Sequence, residues 1–270
     1  MHWLIRDGFS DQGYLNLLTA LERLGYEYTL VKCIAFDNYN YTDLEGNPLP
    51  DSLANKPVMV YGGQGLIDYA KHRGWYPGAY ANENFNVSVW QEHWKDELLN
   101  NDSIIGTMGD ITEPPYEHFF IRPLFDNKNF AGMLMHSDEY KSWRQKILAI
   151  PDDCYSTMNK DTLITIATIK HIIAEYRLFV VNGKVVTGSE YKRGGNVGYY
   201  EYLPTYILDY AQKVIDIWEP DQAYCLDIAE ICKEDGTYDY KVIEVNCING
   251  CGLYASDVHK YAHHLSTIND

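Results

Sequence analysis

The 270 residues carry 38 acidic and 22 basic side chains, a formal net charge of −16, and a 46% hydrophobic fraction that is ample for a buried core. Such a charge repels a phosphate backbone, so general nucleic-acid binding is disfavoured and small molecules, peptides or metal-bound nucleotides fit better. No run of about 18 apolar residues occurs, and the start, "MHWLIRDGFSDQG", lacks a basic segment followed by an apolar one, so a cytoplasmic, unsecreted chain without a membrane partner is expected.

In chain order, "HWLIR" reads as a short apolar strand and "DQGYLNLLTALERLG" as a helix ending at Gly25, with "YEYTLVKC" as the next strand. "KPVMVYGGQGLIDYAKHRG" adds a buried strand, a glycine turn and a helix, so an open α/β layer with parallel strands is expected here. "YGGQG" matches neither common phosphate-loop pattern and no basic residue follows it closely, which favours a structural turn over an anion cradle. Residues 85–101 read as an amphipathic helix with Val89, Trp90, Trp94, Leu98 and Leu99 on its core side. "EPPYEH" breaks the pattern and marks a first boundary near residue 115.

Beyond it the periodicity changes. "HFFIRPLF" is a strand interrupted by proline, and "SDEYKSWRQKILAI" a helix with Ser137 as N-cap. "TLITIATIKHIIAEYRLFVVNGKVVTGSEYK" supplies several strands, with Asn182-Gly183 as a hairpin turn, and this mostly antiparallel segment runs to about residue 195. "LPTYILDYAQKVIDIW" then forms a helix whose Ile207, Leu208, Ala211, Val214, Ile215 and Trp218 face a core. The six cysteines show no framework of spacing and are expected as reduced, mostly buried thiols. Cys247-x3-Cys251 with His259, His263 and His264 downstream lacks the usual zinc spacing.

Residues 225–246, "CLDIAEICKEDGTYDYKVIEVN", read as two strands joined at Asp235-Gly236. A two-residue type I′ loop pairs Glu234 with Thr237, and counting outward sets Asp227 opposite Glu244 and Cys225 opposite Asn246. Cys225, Asp227 and Ala229 then share a face with Glu244 and Asn246, while Leu226, Ile228, Ile243 and Val245 point the other way. Two carboxylates held with Cβ atoms about 5 Å apart repel. One or two Mg²⁺ or Mn²⁺ ions bridging them, with Asn246 adding a carbonyl oxygen, would relieve that repulsion. A solvated polar face is the alternative, and the residues alone leave the two level.

This hairpin resembles the C-terminal metal-binding hairpin of the ATP-grasp superfamily, in which an acidic residue on one strand and E-x-N on the next hold Mg²⁺ against ATP. The similarity extends back to about residue 117, where "FFIRPLFDNKNFAG" resembles the family's strand and flexible phosphate loop, and "EYRLFVVNGKVVTGSEYK" resembles its next strand pair. Most members carry Lys before the proline. Arg122 in that place makes the chain similar to a small phage and bacterial clade. The resemblance implies an α/β (α+β) ATP-grasp fold, with an N-terminal α/β domain (1–115), a central lobe (116–195) and a C-terminal lobe bearing the hairpin (196–270). It implies Asp227, Glu244 and Asn246 as metal ligands, Arg177 and Arg122 as catalytic residues, and Arg122, Lys128, Lys170, Arg177, Lys192 and Asn249 as contacts to ATP. Physically, Arg122 lies on a strand kept extended by Pro123 and suits bidentate phosphate contact, Lys128 lies in a loop able to close, and Arg177 can stabilise charge developing in transfer. Arg122 as a surface ion-pairing residue and Glu175 as the ion-pair partner of Arg177 are the plainer alternatives. Lys170 is the candidate for the adenine hinge, and "CINGCGLYAS", with Asn249 and Gly250, resembles the segment beside the acceptor.

The family's usual chemistry implies an ATP-dependent carboxylate-amine ligase that proceeds through an acyl-phosphate, forms ADP and phosphate, and takes a carboxylate substrate and an amine acceptor. Members often form homodimers. A kinase-like phosphotransferase and a non-catalytic ATP-binding protein are the competing readings.

Overall fold

A computed structural model describes residues 1–34, 40–124, 130–151, 154, 156–233 and 235–268. The chain divides into two compact units, one of Met1–Phe85 with Ile172–Asp270 and one of Asn86–His171. No described helix is long and apolar enough to cross a membrane.

The first unit opens with β1 (His2–Arg6), α1 (Gln12–Leu24), β2 (Glu27–Cys33), β3 (Tyr41–Asp43), β4 (Val58–Tyr61), α2 (Gln64–Arg73) and β5 (Pro77–Gly78). The Asp11 side chain caps α1 by accepting from the Tyr14 N–H, and Gly25 ends it in the left-handed region at φ 73°. The five strands form one sheet in the order β3-β2-β1-β4-β5, parallel except for the β2–β3 pair, as the sequence pattern led us to expect. β1 and β4 are apolar on both faces because both faces are covered. Trp3, Ile5, Met59 and Tyr61 pack into one core, whereas Leu4, Val58 and Val60 pack with Leu66, Ile67 and Ala70 of α2 into another.

The second unit contains α3 (Val87–Trp94), β6 (Ile104–Thr107), β7 (His118–Pro123), β8 (Met133–His136), α4 (Ser137–Leu148) and β9 (Leu163–Ala167). Its antiparallel sheet has the order β6-β9-β7-β8, and Tyr140 and Ile147 of α4 pack on Phe119, Ile121, Ile164 and Ile166. The helix expected over 85–101 is shorter, stopping where Lys95 takes φ 43°, although Trp90, Trp94, Leu98 and Leu99 are buried as expected. α4 is capped by His136 rather than Ser137. The His136 Nδ1 accepts from the Asp138 N–H, and Glu139 returns to the His136 N–H, so the box begins one residue earlier than the serine suggested.

The chain then returns to the first unit with β10 (Ile172–Val181), β11 (Lys184–Arg193), β12 (Asn196–Tyr200), α5 (Thr205–Ile217), β13 (Ala223–Cys232), β14 (Tyr238–Asn246) and α6 (Val258–Ser266). Asn182 and Gly183 both take positive φ, 51° and 72°, the signature of the two-residue hairpin turn expected there. On α5, Ile207, Ala211, Val214 and Ile215 are buried as expected, while Leu208 is exposed. The sheet order is β12-β11-β10-β13-β14, all antiparallel.

These units differ from the divisions read near residues 115 and 195. β6 lies before the first of those points yet pairs with β9, so residues from 86 onward join the central sheet. β10 pairs with β13 along its length, and Phe179, Val181 and Cys225 share a core with Trp3, Tyr61 and Tyr261, which draws the last hundred residues to the N-terminal layer.

Candidate functional site

The hairpin of β13 and β14 places Asp227 opposite Glu244 and Cys225 opposite Asn246, the expected pairs, by a route the spacing does not reveal. The Lys233 N–H donates to the Thr237 carbonyl at 2.8 Å and the Gly236 N–H to the Lys233 carbonyl at 2.9 Å, so the loop holds three residues, 234–236, with Gly236 at φ 82°. The expected two-residue loop is therefore corrected, although Glu234 itself lies outside the described residues. The strands leave this loop one residue out of the expected register, with Cys232 opposite Tyr238 and Ile228 opposite Val242. A bulge at Ile243 then takes up one residue and restores the pairing at Asp227. Val242, not Ile243, is consequently the buried residue opposite Ile228.

Ser189, Arg177, Asp227 and Glu244 are successive partners across β11, β10, β13 and β14, one polar row crossing four strands. Asp227, only 1% exposed, accepts from the Arg177 Nε at 2.9 Å and Nη2 at 2.7 Å, with the Cys225 thiol 3.8 Å away. Burial pushes the Asp227 carboxyl up, and Arg177 opposes that push. Burial also opposes the Arg177 charge, but Cys225 and Asp227 beside it hold its pKa above the usual guanidinium value. Two parallel N–H···O contacts are the geometry of an ionised pair. Glu244 and Asn246 are half-buried, and the Asn246 amide donates to Glu244 at 3.0 Å.

Glu175, the plainer partner proposed for Arg177, instead takes Lys192 at 2.6 Å and the Tyr191 hydroxyl at 2.7 Å. Burial first, then Asp227 and Glu175, push the Tyr191 hydroxyl up. Arg193 binds Glu190 at 2.6 Å and the Tyr176 hydroxyl at 3.0 Å. The three-residue loop sets Lys241 opposite Ala229, on the Asp227 face, where a two-residue loop would put it on the other.

Asn249 does not face the polar row. It is fully buried, its amide donates to the Val60 carbonyl at 2.7 Å, and its side-chain oxygen accepts from the Tyr80 N–H at 2.8 Å. Its backbone carbonyl also accepts from the Gly62 N–H at 2.8 Å, so Asn249 joins the post-hairpin loop to the end of β4. The "YGGQG" turn is explained by close packing. Added Cβ atoms at Gly62 and Gly63 would lie 2.8 Å from the Arg6 Cβ and 2.9 Å from its Nη1.

In the second unit, Arg122 is half-buried on β7 opposite Thr165. Lys170 pairs with Asp102 at 2.8 Å and also contacts the Thr168 hydroxyl. Lys128 lies outside the described residues. Among the described residues, Glu117, His118 and His136 form one close cluster of metal-ligating types. His136 Nδ1 is engaged in capping α4, and its Nε2 lies 3.6 Å from Glu117. All six cysteines are free thiols, but only Cys225 and Cys251 are buried, where most were expected to be.

With this geometry in place, residues 100–264 match the family model described as ATP-grasp domain, R-2-K clade, family 2. The chain belongs to this ATP-grasp family. Among solved structures, the D-alanine-D-alanine ligase of Coxiella burnetii is 12% identical at a TM-score of 0.59, with 91% of this chain and 85% of that one covered. A RimK domain ATP-grasp protein from Sphaerobacter thermophilus is 12% identical at a TM-score of 0.57, covering 91% and 90%. The D-cycloserine synthetase DcsG is 9% identical at 0.56, covering 98% of each chain. A search of the curated proteins finds no match. At these identities the likeness is one of ATP-grasp fold, with mixed α/β layers and antiparallel sheets.

Proposed function

We propose that this ATP-grasp protein is an ATP-dependent carboxylate-amine ligase that forms ADP and phosphate through an acyl-phosphate. The observation that carries the reading is the Arg177–Asp227–Glu244 row, which joins a buried guanidinium to two opposed carboxylates across adjacent strands. Neighbours of the same fold that are named as D-alanine-D-alanine ligase and D-cycloserine synthetase favour ligation over other uses of ATP.

The donor set suits a hard divalent cation. Asp227, Glu244 and Asn246 offer oxygens as ligands, and Asp227 Oδ2 keeps a lone pair beyond the one facing Arg177, while Oδ1 is shared by Arg177 and the Cys225 thiol. These three residues would hold Mg²⁺ or Mn²⁺, whose part is to neutralise the triphosphate oxygens. Arg177 retains unused N–H groups that can stabilise charge as the γ-phosphoryl group passes to the substrate carboxylate. Asp227, by fixing two of its donors, aims the remaining ones. The acceptor amine then displaces phosphate from the acyl-phosphate. No protein nucleophile is needed, because positioning and charge neutralisation carry the catalysis. Arg122 and Lys128 as phosphate ligands, and Lys170 and Lys192 as further nucleotide contacts, are carried by the family resemblance alone.

The test is incubation with ATP, Mg²⁺ and pools of amino acids and amines, following phosphate release and product mass. Phosphate release in step with a new amide is expected, and Glu244→Ala should abolish metal-dependent turnover while the variant melts cooperatively. ADP formed without free phosphate would replace the ligase by a phosphotransferase. Undiminished turnover in folded Glu244→Ala would remove the proposed metal site.

A further inference from the structure

Beyond Asp227, Arg177 meets the loop that follows the hairpin. Its Nη1 donates to the Gly252 carbonyl at 3.4 Å, and its guanidinium carbon lies 4.8 Å from the Tyr254 ring centroid and 5.6 Å from that of Tyr191. With Nε and Nη2 on Asp227, three of the five N–H donors of an arginine are engaged, and the guanidinium lies over two rings.

Tyr254 occupies an unusual position for a tyrosine. Its φ is 48°, a left-handed conformation that a β-carbon disfavours and that glycine or asparagine adopts more easily. Such a conformation persists where the surroundings over-determine it. Here the Tyr254 ring stacks on Tyr191 at 5.1 Å and 26°, and on Tyr199 of β12 at 5.0 Å and 13°. The backbone on either side is tied as well. The Cys251 carbonyl accepts from the buried Tyr61 hydroxyl at 3.1 Å, and the Ser256 N–H donates to the Leu253 carbonyl at 3.0 Å. Leu253 sits against α1 so closely that a Cβ on Gly13 would meet its own Cβ at 2.9 Å. A loop so constrained, with a tyrosine where glycine is easier, gains from the ring, and the ring's charged neighbour is Arg177.

We propose that Tyr254 is a positioning residue for Arg177: its ring, backed by Tyr191 and Tyr199, holds the guanidinium plane in line with Asp227 so that the two unengaged N–H groups keep one direction. The loop after the hairpin thereby belongs to the catalytic arrangement through Arg177. This rests on the reading of Arg177 as the residue that stabilises transferred charge, and the experiment separates the two claims.

Tyr254→Leu and Tyr254→Phe are compared with the unaltered chain by thermal melting, by the Arg177 Nε–H resonance in ¹⁵N spectra (assigned with Arg177→Lys), and by steady-state turnover of ATP. Phe should preserve the slowly exchanging Nε–H signal and a kcat within about threefold. Leu should lose or broaden that signal and lower kcat on the order of tenfold, with KM for ATP changed less than about twofold, both measured at a temperature where the melt shows the variant fully folded, so that a smaller active fraction does not account for the loss. If the Leu variant no longer melts cooperatively, Tyr254→Gly, which relieves the left-handed strain, is measured in its place with the same expected losses. A folded Leu or Gly variant that keeps both the Nε–H signal and kcat overturns the proposal. If the unaltered protein turns over no ATP, the functional reading fails, and the resonance alone decides whether Tyr254 holds Arg177.

Discussion

Arg177 and Asp227 show why a buried charge is safe only while its partner is present. The carboxylate is almost wholly removed from water and both its oxygens face one guanidinium. Arg177→Met should therefore destabilise the fold by about 3–5 kcal/mol, because an uncompensated carboxylate stays buried. The double variant Arg177→Met with Asp227→Leu should recover most of that loss, since apolar residues of similar volume fill the place without a desolvation cost. Urea unfolding of the two single variants and the double variant would check this. Equal losses in the single and double variants would show that packing, not charge, holds the site. That Asp227 belongs beside Glu244 and Asn246 was legible from alternation. That Arg177 pairs with Asp227 was not, because Glu175 and Arg177 lie on the same strand face, and only the β10–β13 and β10–β11 registers assign one to Asp227 and the other to Lys192.

At the level of elements, strands that are apolar on both faces, the capped α1 and the Asn-Gly hairpin announce themselves in sequence because each depends on neighbours a few residues away. The β13–β14 hairpin shows the limit of such reading. Asp235-Gly236 signals a turn, but a two- or a three-residue loop satisfies that signal equally, and the bulge at Ile243 that cancels the difference has no local signature. Lys241 changes face with that choice. Gly188 on β11 is a further requirement set across strands: a Cβ there would lie 2.5 Å from the Arg177 carbonyl and 2.8 Å from Leu178. Gly188→Ala should cost about 1–3 kcal/mol in a denaturant titration by forcing β10 and β11 apart. As β10 carries Arg177, the substitution should also weaken the row it disturbs, visible as loss of the Arg177 Nε–H signal. An alanine variant of unchanged midpoint would mean that the two strands yield without strain.

For the whole molecule, 24 tyrosines in 270 residues, many buried, set a stability limit at high pH. Burial pushes the hydroxyls of Tyr41 and Tyr140 up to about 12, from 10.0. A proton held more tightly in the folded chain favours folding fully below pH 10 and progressively less as pH rises toward 12. The unfolding free energy measured in urea should therefore decline across that interval, and the Tyr41→Phe, Tyr140→Phe double variant should show a shallower decline. An unchanged slope would mean that other groups set the alkaline limit. The two compact units were not evident in the order of segments, because β6 and β10 each join a sheet built largely by residues distant in sequence.

By itself the sequence determined the elements, the parallel N-terminal layer, the family resemblance and the polar face of the hairpin, since period, turn chemistry and alternation act over a few residues. The tertiary structure alone decided which cation meets which carboxylate, that Asn249 joins loop to strand, and that Tyr254 covers Arg177. Those outcomes depend on register between strands and on side chains meeting across a shared core, from 17 residues apart for Glu175 and Lys192 to 189 for Val60 and Asn249, which no local pattern encodes.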